Sequence, residues 1–194
     1  MGKDKFAVWD IDGTIFKSAC LEKAIEVAVD EGIFRDEDFY EARAKRKIWQ
    51  NDNNEGVYQS YLNSLVGAFV AQIAGIKAQE MDKVVNQMVN NHQVRRFKFT
   101  RALLEYLNPT HTTVAISGSP EFMVKAFLAD LQFDEVVGSQ FEVINGTYTG
   151  NATSTNKAAA FETISKGTGE LDVVVGDTIG DLEILEQATR PIAF

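Results

Sequence analysis

The segment Phe6-Ala7-Val8-Trp9-Asp10-Ile11-Asp12-Gly13-Thr14 sets the terms for the rest of the chain. Phe6 to Trp9 is an apolar run without alternation, the pattern of a short strand buried on both faces, as in a parallel sheet. Two aspartates follow at once and Gly13 ends the run. Residues two apart in an extended segment can point the same way, so Asp10 and Asp12 can present their carboxylates together. One of such a pair could attack phosphorus and form an acyl phosphate that water then cleaves. The other could protonate the leaving oxygen and later deprotonate the water. By itself, Asp12-Gly13 reads equally well as the start of a turn.

Downstream of this segment the pattern changes. Between Cys20 and Arg96 apolar residues recur at helical spacing, in Leu21, Ile25, Ala28 and Val29, in Tyr58, Tyr61, Leu65 and Phe69, and in Met81, Val84, Val85 and Met88. The stretch holds no proline, so the spacing predicts an all-helical insert of about four helices. The aromatic residues Trp49, Tyr58, Tyr61 and Phe69 read as the insert's own core, with a pocket lining as the alternative. An α/β rhythm then begins. A helix over 100–107 stops before Asn108-Pro109, and a β-branched strand covers 112–116. Ser119-Pro120 opens a helix with serine as N-cap and proline in the first turn. A short strand at 136–137 precedes a hairpin around Asn145-Gly146. A helix over 157–165, a buried strand over 171–175 ending at Gly176-Asp177, and a last helix complete the pattern. Strands alternating with helices predict an α/β fold, a Rossmann-like parallel sheet with helices on both faces.

In an open sheet of this kind, ligands bind beyond the carboxyl ends of the strands. Three predicted strands deliver polar residues there: Asp10 and Asp12, then Ser117-Gly118, then Asp177 with Asp181 four residues on. Asp10, Asp177 and Asp181 offer the hard oxygen ligands that Mg²⁺ takes. Asp181 alone also reads as a helix cap, which leaves Asp177 unexplained. The Ser117 hydroxyl and the N–H groups at the following helix start form an anion site or an ordinary cap. Lys157 begins a helix, where the dipole disfavours a cation; a nearby anion explains it better than solvent does.

Composition narrows the function classes. The 194 residues carry a net charge of −9 and 45% hydrophobic residues, enough for a real core and unsuited to a broad nucleic-acid surface. The local cluster Arg43-Ala44-Lys45-Arg46-Lys47 reads as a solvated helix face. Cys20 is the single cysteine and His92 and His111 the only histidines, so neither an intrachain disulfide nor zinc spacing is present. No apolar signal segment precedes Phe6, and the longest apolar stretch is too short to span a bilayer. A soluble, cytoplasmic protein with no nucleic-acid or membrane partner is expected.

Asp10-x-Asp12-Gly13-Thr14, Ser117 after its strand, Lys157, and Gly176-Asp177-x-x-x-Asp181 together resemble the four motifs of the haloacid dehalogenase superfamily. The helical insert is similar to that superfamily's first type of cap, and the segments around 141–157 and 176–185 are similar to its phosphoserine phosphatase-like branch. The resemblance implies a catalytic core of 1–16 and 98–194 and a helical cap of 17–97 that would close over the site. It implies Asp10 as nucleophile and Mg²⁺ ligand, and Asp12 as general acid/base that also ligates Mg²⁺ through its backbone carbonyl. Ser117 and Lys157, with Thr14 and Gly118 beside them, would hold the phosphoryl group; Asp177 would bind the metal, and Asp181 would bind it directly or through water, or orient Lys157. The implied activity is hydrolysis of a small phosphorylated metabolite. A phosphotransferase or a silent binding protein of the same fold are the alternatives. A dehalogenase has no need of Asp12, and a receiver-type signalling domain is shorter and lacks the insert. The sequence departs from phosphoserine phosphatases where it reads Lys17-Ser18-Ala19 in place of a segment with glutamate, and where Ser119 replaces glycine. Lys17 and Ser18 are therefore the expected substrate-selecting positions.

Overall fold

The computed structural model describes residues 3–52 and 55–194. In chain order the elements are β1 (Lys5–Trp9), α1 (Cys20–Asp30), α2 (Tyr40–Asp52), α3 (Glu55–Ile73), α4 (Ala78–His92), α5 (Lys98–Leu107), β2 (His111–Pro120) and α6 (Glu121–Phe127). They continue with β3 (Glu135–Ile144), β4 (Thr147–Thr153), α7 (Lys157–Ser165), β5 (Glu170–Gly176), α8 (Leu182–Leu185) and β6 (Arg190–Ala193). The chain forms two compact units. One takes the residues up to Ala24 with Val85–Gln140 and Thr153–Phe194; the other takes Ile25–Val84 and Phe141–Ala152.

The first unit is the expected α/β core. Its strands run in the order β3-β2-β1-β5-β6, and each neighbouring pair is parallel. β1 lies at the centre, with Trp9 opposite Ala115 on one side and Val175 on the other. Phe6 to Trp9 are all buried, as an unalternating run in a covered parallel sheet must be. On one face Phe6, Val8, Val114, Ile116 and Val174 pack against Phe161 of α7 and Ile184 and Leu185 of α8. Phe6 and Phe161 meet edge to face at 5.3 Å. Each such side chain contributes roughly 1.5–3 kcal/mol through burial. At the amino ends of the strands a polar cluster closes the sheet. Arg190 forks onto Asp172 with two bonds of 2.7 Å, His111 Nε2 lies 2.9 Å from the same carboxylate, and Lys5 reaches it at 3.2 Å.

Two local readings change. Ser119 does not cap a helix: β2 runs on through it to Pro120, and α6 starts at Glu121 with no side-chain cap. The strand at 136–137 and the first hairpin strand are one element, β3, passing through Gly138. A Cβ on Gly138 would stand 2.7 Å from both the Glu121 Cα and the Ser119 carbonyl oxygen. The glycine therefore marks a close packing contact inside a strand, not a break.

The second unit holds α2 and α3, parts of α1 and α4, and the hairpin. Phe34, Phe39, Tyr61 and Phe69 are buried in it, while Trp49 and Tyr58 stay half-buried with ring centroids 4.7 Å apart. The basic cluster is partly paired: Arg43 with Asp36 in the 3-10 turn before its helix, and Lys45 with Glu41 on the helix itself at 2.7 Å. The expected insert of 17–97 contained no strand. The unit as folded adds 141–152, because Gly75 N–H donates to Tyr148 O at 2.8 Å, Ala78 N–H donates to Gly146 O at 2.9 Å, and Phe69 meets Phe141 at 5.4 Å. Asn145 (φ 50°) and Gly146 (φ 75°) turn the hairpin, as a two-residue primed turn requires. Among the described residues no helix is long and apolar enough to cross a membrane.

Candidate active site

β1 sits where the strand order reverses, since the chain continues to β2 and β3 on one side and β5 and β6 on the other. In open sheets ligands bind at such a switch point, beyond the carboxyl ends of the strands, here those of β1, β2 and β5. Asp10 extends β1 by one residue, its N–H donating to Val175 O at 2.8 Å. The chain then folds back: Ile15 and Phe16 N–H groups both donate to Ile11 O, at 2.9 and 2.8 Å, and Gly13 N–H donates to Phe16 O at 2.8 Å. Gly13 has φ +94°, and a Cβ there would lie 1.9 Å from Asp177 Oδ2. Both the turn and the approach of Asp177 demand glycine.

Asp10, Asp177, Asp181 and Lys157 form one cluster. Lys157 Nζ donates to Oδ1 of both Asp10 and Asp181. The Asn156 side chain caps α7 by accepting from Ala159 N–H at 2.8 Å, which fixes Lys157 as the first helical residue. Asp181 does not cap α8 with its side chain but closes a capping box with Thr178 on the short 3-10 turn before it. Its Oδ2 accepts from the N–H groups of Asp177 (3.2 Å) and Thr178 (3.0 Å) and from the Thr178 hydroxyl (3.0 Å), while Oδ1 faces Lys157. Thr14 Oγ1 donates to Asp177 Oδ1 at 3.1 Å.

The cluster carries an excess of negative charge. Burial drives the Asp10 carboxyl upward from the usual carboxylate range; Lys157 opposes this, while Asp181 and Asp12 add to it. Burial likewise raises Asp177, against the Thr14 hydrogen bond. Lys157 loses to burial but gains more from Asp10 and Asp181, so its ammonium is held above its ordinary value. One ammonium thus serves three carboxylates whose candidate ligand oxygens all lie within 4.8 Å of one another. An all-oxygen, net anionic, largely buried donor set fits a hard divalent cation such as Mg²⁺.

Asp12 belongs to a second cluster. Its Oδ1 accepts from Cys20 N–H at 2.6 Å, and its Oδ2 accepts from Ser117 Oγ at 3.1 Å and Ser119 Oγ at 2.6 Å. Ser119 N–H in turn donates to Ser117 Oγ at 3.0 Å. The loop is braced from β3: Ser139 Oγ donates to Gly118 O at 2.7 Å and accepts from Thr155 N–H at 3.2 Å. Burial, then Asp12, hold the Cys20 thiol well above its usual pKa, so it stays a neutral thiol.

A family model described as haloacid dehalogenase-like hydrolase matches residues 7–186, a span that takes in every residue of both clusters. The chain belongs to this hydrolase family. No curated protein matches it. Among solved structures, a phosphoserine phosphatase determined as a phospho-aspartyl intermediate analogue is 19% identical, covers 100% of this chain and 87% of its own, and superposes with a TM-score of 0.65. The phosphoserine phosphatase of T. onnurineus is 23% identical, covering 100% and 86%, with a TM-score of 0.64. A Bordetella pertussis Tohama I protein of unknown function is 16% identical, covering 99% and 90%, with a TM-score of 0.76. At these identities the likeness is one of fold.

This hydrolase keeps its expected site residues at the ends of three adjacent strands and at the start of α7, but their partners differ in places from the sequence reading. Thr14, expected beside a phosphoryl group, is fully buried and occupied with Asp177. Ser117 is engaged with Asp12, and Gly118 contributes a carbonyl to Ser139. Lys17 is exposed, with Nζ 5.3 Å from the centre of the Phe97 ring, and Ser18 is half-buried; neither joins the two clusters by any bond described here. Sequence reasoning marked Ser119 only as a helix cap and as a departure from a usual glycine, and it missed Ser139, Thr178 and the Cys20 amide. Of the three missed, Thr178 carried a signal, as the first residue of a Thr-x-x-Asp capping pattern.

Proposed function

We propose that this hydrolase is a Mg²⁺-dependent phosphomonoesterase that cleaves a small phosphorylated metabolite through an aspartyl phosphate on Asp10. The observation that carries the reading is the separation of the two carboxylates of the first motif. Asp10 sits with Lys157, Asp177 and Asp181, and Asp12 sits apart with hydroxyl and amide donors. A nucleophile and a proton-transfer group need different surroundings of this kind.

In the first half-reaction an Asp10 oxygen attacks phosphorus as the P–O bond to the leaving group breaks, and Asp12 gives its proton to the departing oxygen. In the second, Asp12 takes a proton from water as the water oxygen attacks the same phosphorus. The bond to Asp10 breaks and inorganic phosphate leaves. Lys157, with Ser117, neutralises and aligns the phosphoryl oxygens, the main demand of phosphoryl transfer. Asp10, Asp177, Asp181 and the Asp12 carbonyl would hold Mg²⁺, whose charge lets an anionic nucleophile approach an anionic ester. The 17–97 insert takes the part of a cap. Lys17 replaces the acidic residue expected for an amino-acid ester and favours an anionic or neutral leaving group.

Purified protein is expected to release phosphate from nitrophenyl phosphate with Mg²⁺ and to stop with a chelator. Mg²⁺ should also raise its melting temperature, because a ligand bound to the native state alone stabilises it. Asp10→Asn should abolish turnover while keeping the fold; wild-type rates in that variant would sink the covalent mechanism. A clear preference for phosphoserine over sugar phosphates would overturn the role given to Lys17.

A further inference from the structure

We propose that Ser119 is a positioning residue that fixes the direction in which Asp12 faces the leaving oxygen. The proposal rests on the phosphomonoesterase reading above. Asp12 is held on both oxygens by its two shortest contacts, the Cys20 amide on Oδ1 and the Ser119 hydroxyl on Oδ2, each at 2.6 Å. Donors on opposite oxygens block rotation of the carboxyl group about its Cβ–Cγ bond. Ser117 adds a longer bond of 3.1 Å to Oδ2. When the Ser117 hydroxyl turns to a phosphoryl oxygen, Asp12 loses that bond, and without Ser119 it would keep only the amide on one side. With Ser119 the carboxyl plane survives the change.

The structure around Ser119 is built to hold it still. It is 6% exposed. It lies in β2 rather than at a mobile helix start, between Gly118, whose carbonyl accepts from Ser139, and Pro120. The missing side chain of Gly138 is what lets β3 pack against its carbonyl. A hydroxyl is also the right group for the task, since it can donate to a carboxylate and accept from a carboxylic acid. It can therefore stay with Asp12 before and after the proton moves.

The test is the dependence of kcat/KM on the leaving group in a series of dinitrophenyl, nitrophenyl and phenyl phosphates. Dinitrophenolate departs without a proton, whereas phenolate needs the acid. Ser119→Ala should lose about tenfold or more in excess on phenyl phosphate over dinitrophenyl phosphate, within the range that general acid catalysis supplies. Ser119→Thr, which restores a hydroxyl, should keep the wild-type dependence. In an Asp12→Asn background Ser119→Ala should add no further leaving-group dependence, because the two residues act as one unit. Equal losses across the series, or no loss, would overturn the proposal, since a merely structural defect slows all three esters alike. If Ser119→Ala does not fold, Ser119→Gly carries the same comparison. The Asp10→Asn control separates the two readings. Turnover without Asp10 removes the hydrolysis mechanism and this proposal together; parallel losses beside an inert Asp10→Asn remove this proposal alone.

Discussion

Gly13 shows how little room the site leaves at its first turn. The position combines a left-handed backbone with a carboxylate oxygen that a Cβ would meet at 1.9 Å. Gly13→Ala must either move Asp177 or open the turn that carries Asp12. Displacements of that size near reacting groups cost about 100-fold in rate, and alanine at positive φ destabilises by more than about 1 kcal/mol. Steady-state kinetics and urea titration should therefore show both losses, with activity falling further than stability. At this scale the sequence was legible wherever a residue type was unusual for its place. Asp10 and Asp177 directly after apolar strands, and Lys157 at a helix start, are poor local choices that only a shared site explains. The contact that Ser119 makes was hidden for the opposite reason. Serine before proline is an excellent local choice for a helix start, and only the 2.6 Å contact with Asp12, 107 residues away, reveals its other use.

Among the elements, α7 would matter most to the proposed mechanism, because its first residue is Lys157. Asn156 holds that end of the helix through its bond to Ala159 N–H. Asn156→Ala should cost about 0.5–2 kcal/mol in stability. Because the frayed turn carries the ammonium that faces Asp10, it should also raise KM for nitrophenyl phosphate, whereas Thr163→Ala on the same helix should not. Strands buried on both faces were legible from their unbroken apolar runs, and α7 matches the predicted 157–165. β3 was not, because Gly138 looks like punctuation in one dimension and is a packing contact in three. The hairpin's membership of the helical unit was equally hidden. It rests on backbone bonds from 75 and 78 to 148 and 146, and backbone groups leave no trace in side-chain patterns.

For the whole molecule, one source of acid sensitivity lies at the amino ends of the strands. Arg190 first, then His111 and Lys5, hold the Asp172 carboxyl well below its usual range, against the effect of burial. A carboxyl depressed in the folded state stabilises fully above its unfolded pKa of about 3.9, and that stabilisation is lost as pH falls from there through the folded pKa. Urea unfolding should show stability dropping on the acid side of about pH 4, and Asp172→Asn should be less stable at neutral pH with a shallower acid limb. A variant with an unchanged acid limb would place the sensitivity elsewhere.

The central position of β1 has a consequence for how the chain is made. Its neighbour β5 lies at the far end of the sequence, so that Lys5 and Asp172 bond across 167 residues. On the ribosome β1 is made long before β5 and waits with its β5-facing edge unpaired until residues 170–176 follow. Over that interval Asp10 has neither Asp177 nor Asp181 beside it. The acidic cluster is therefore incomplete on a nascent chain until β5 and the turn after it have been made, and the exposed edge of β1 is the surface a chaperone would have to guard.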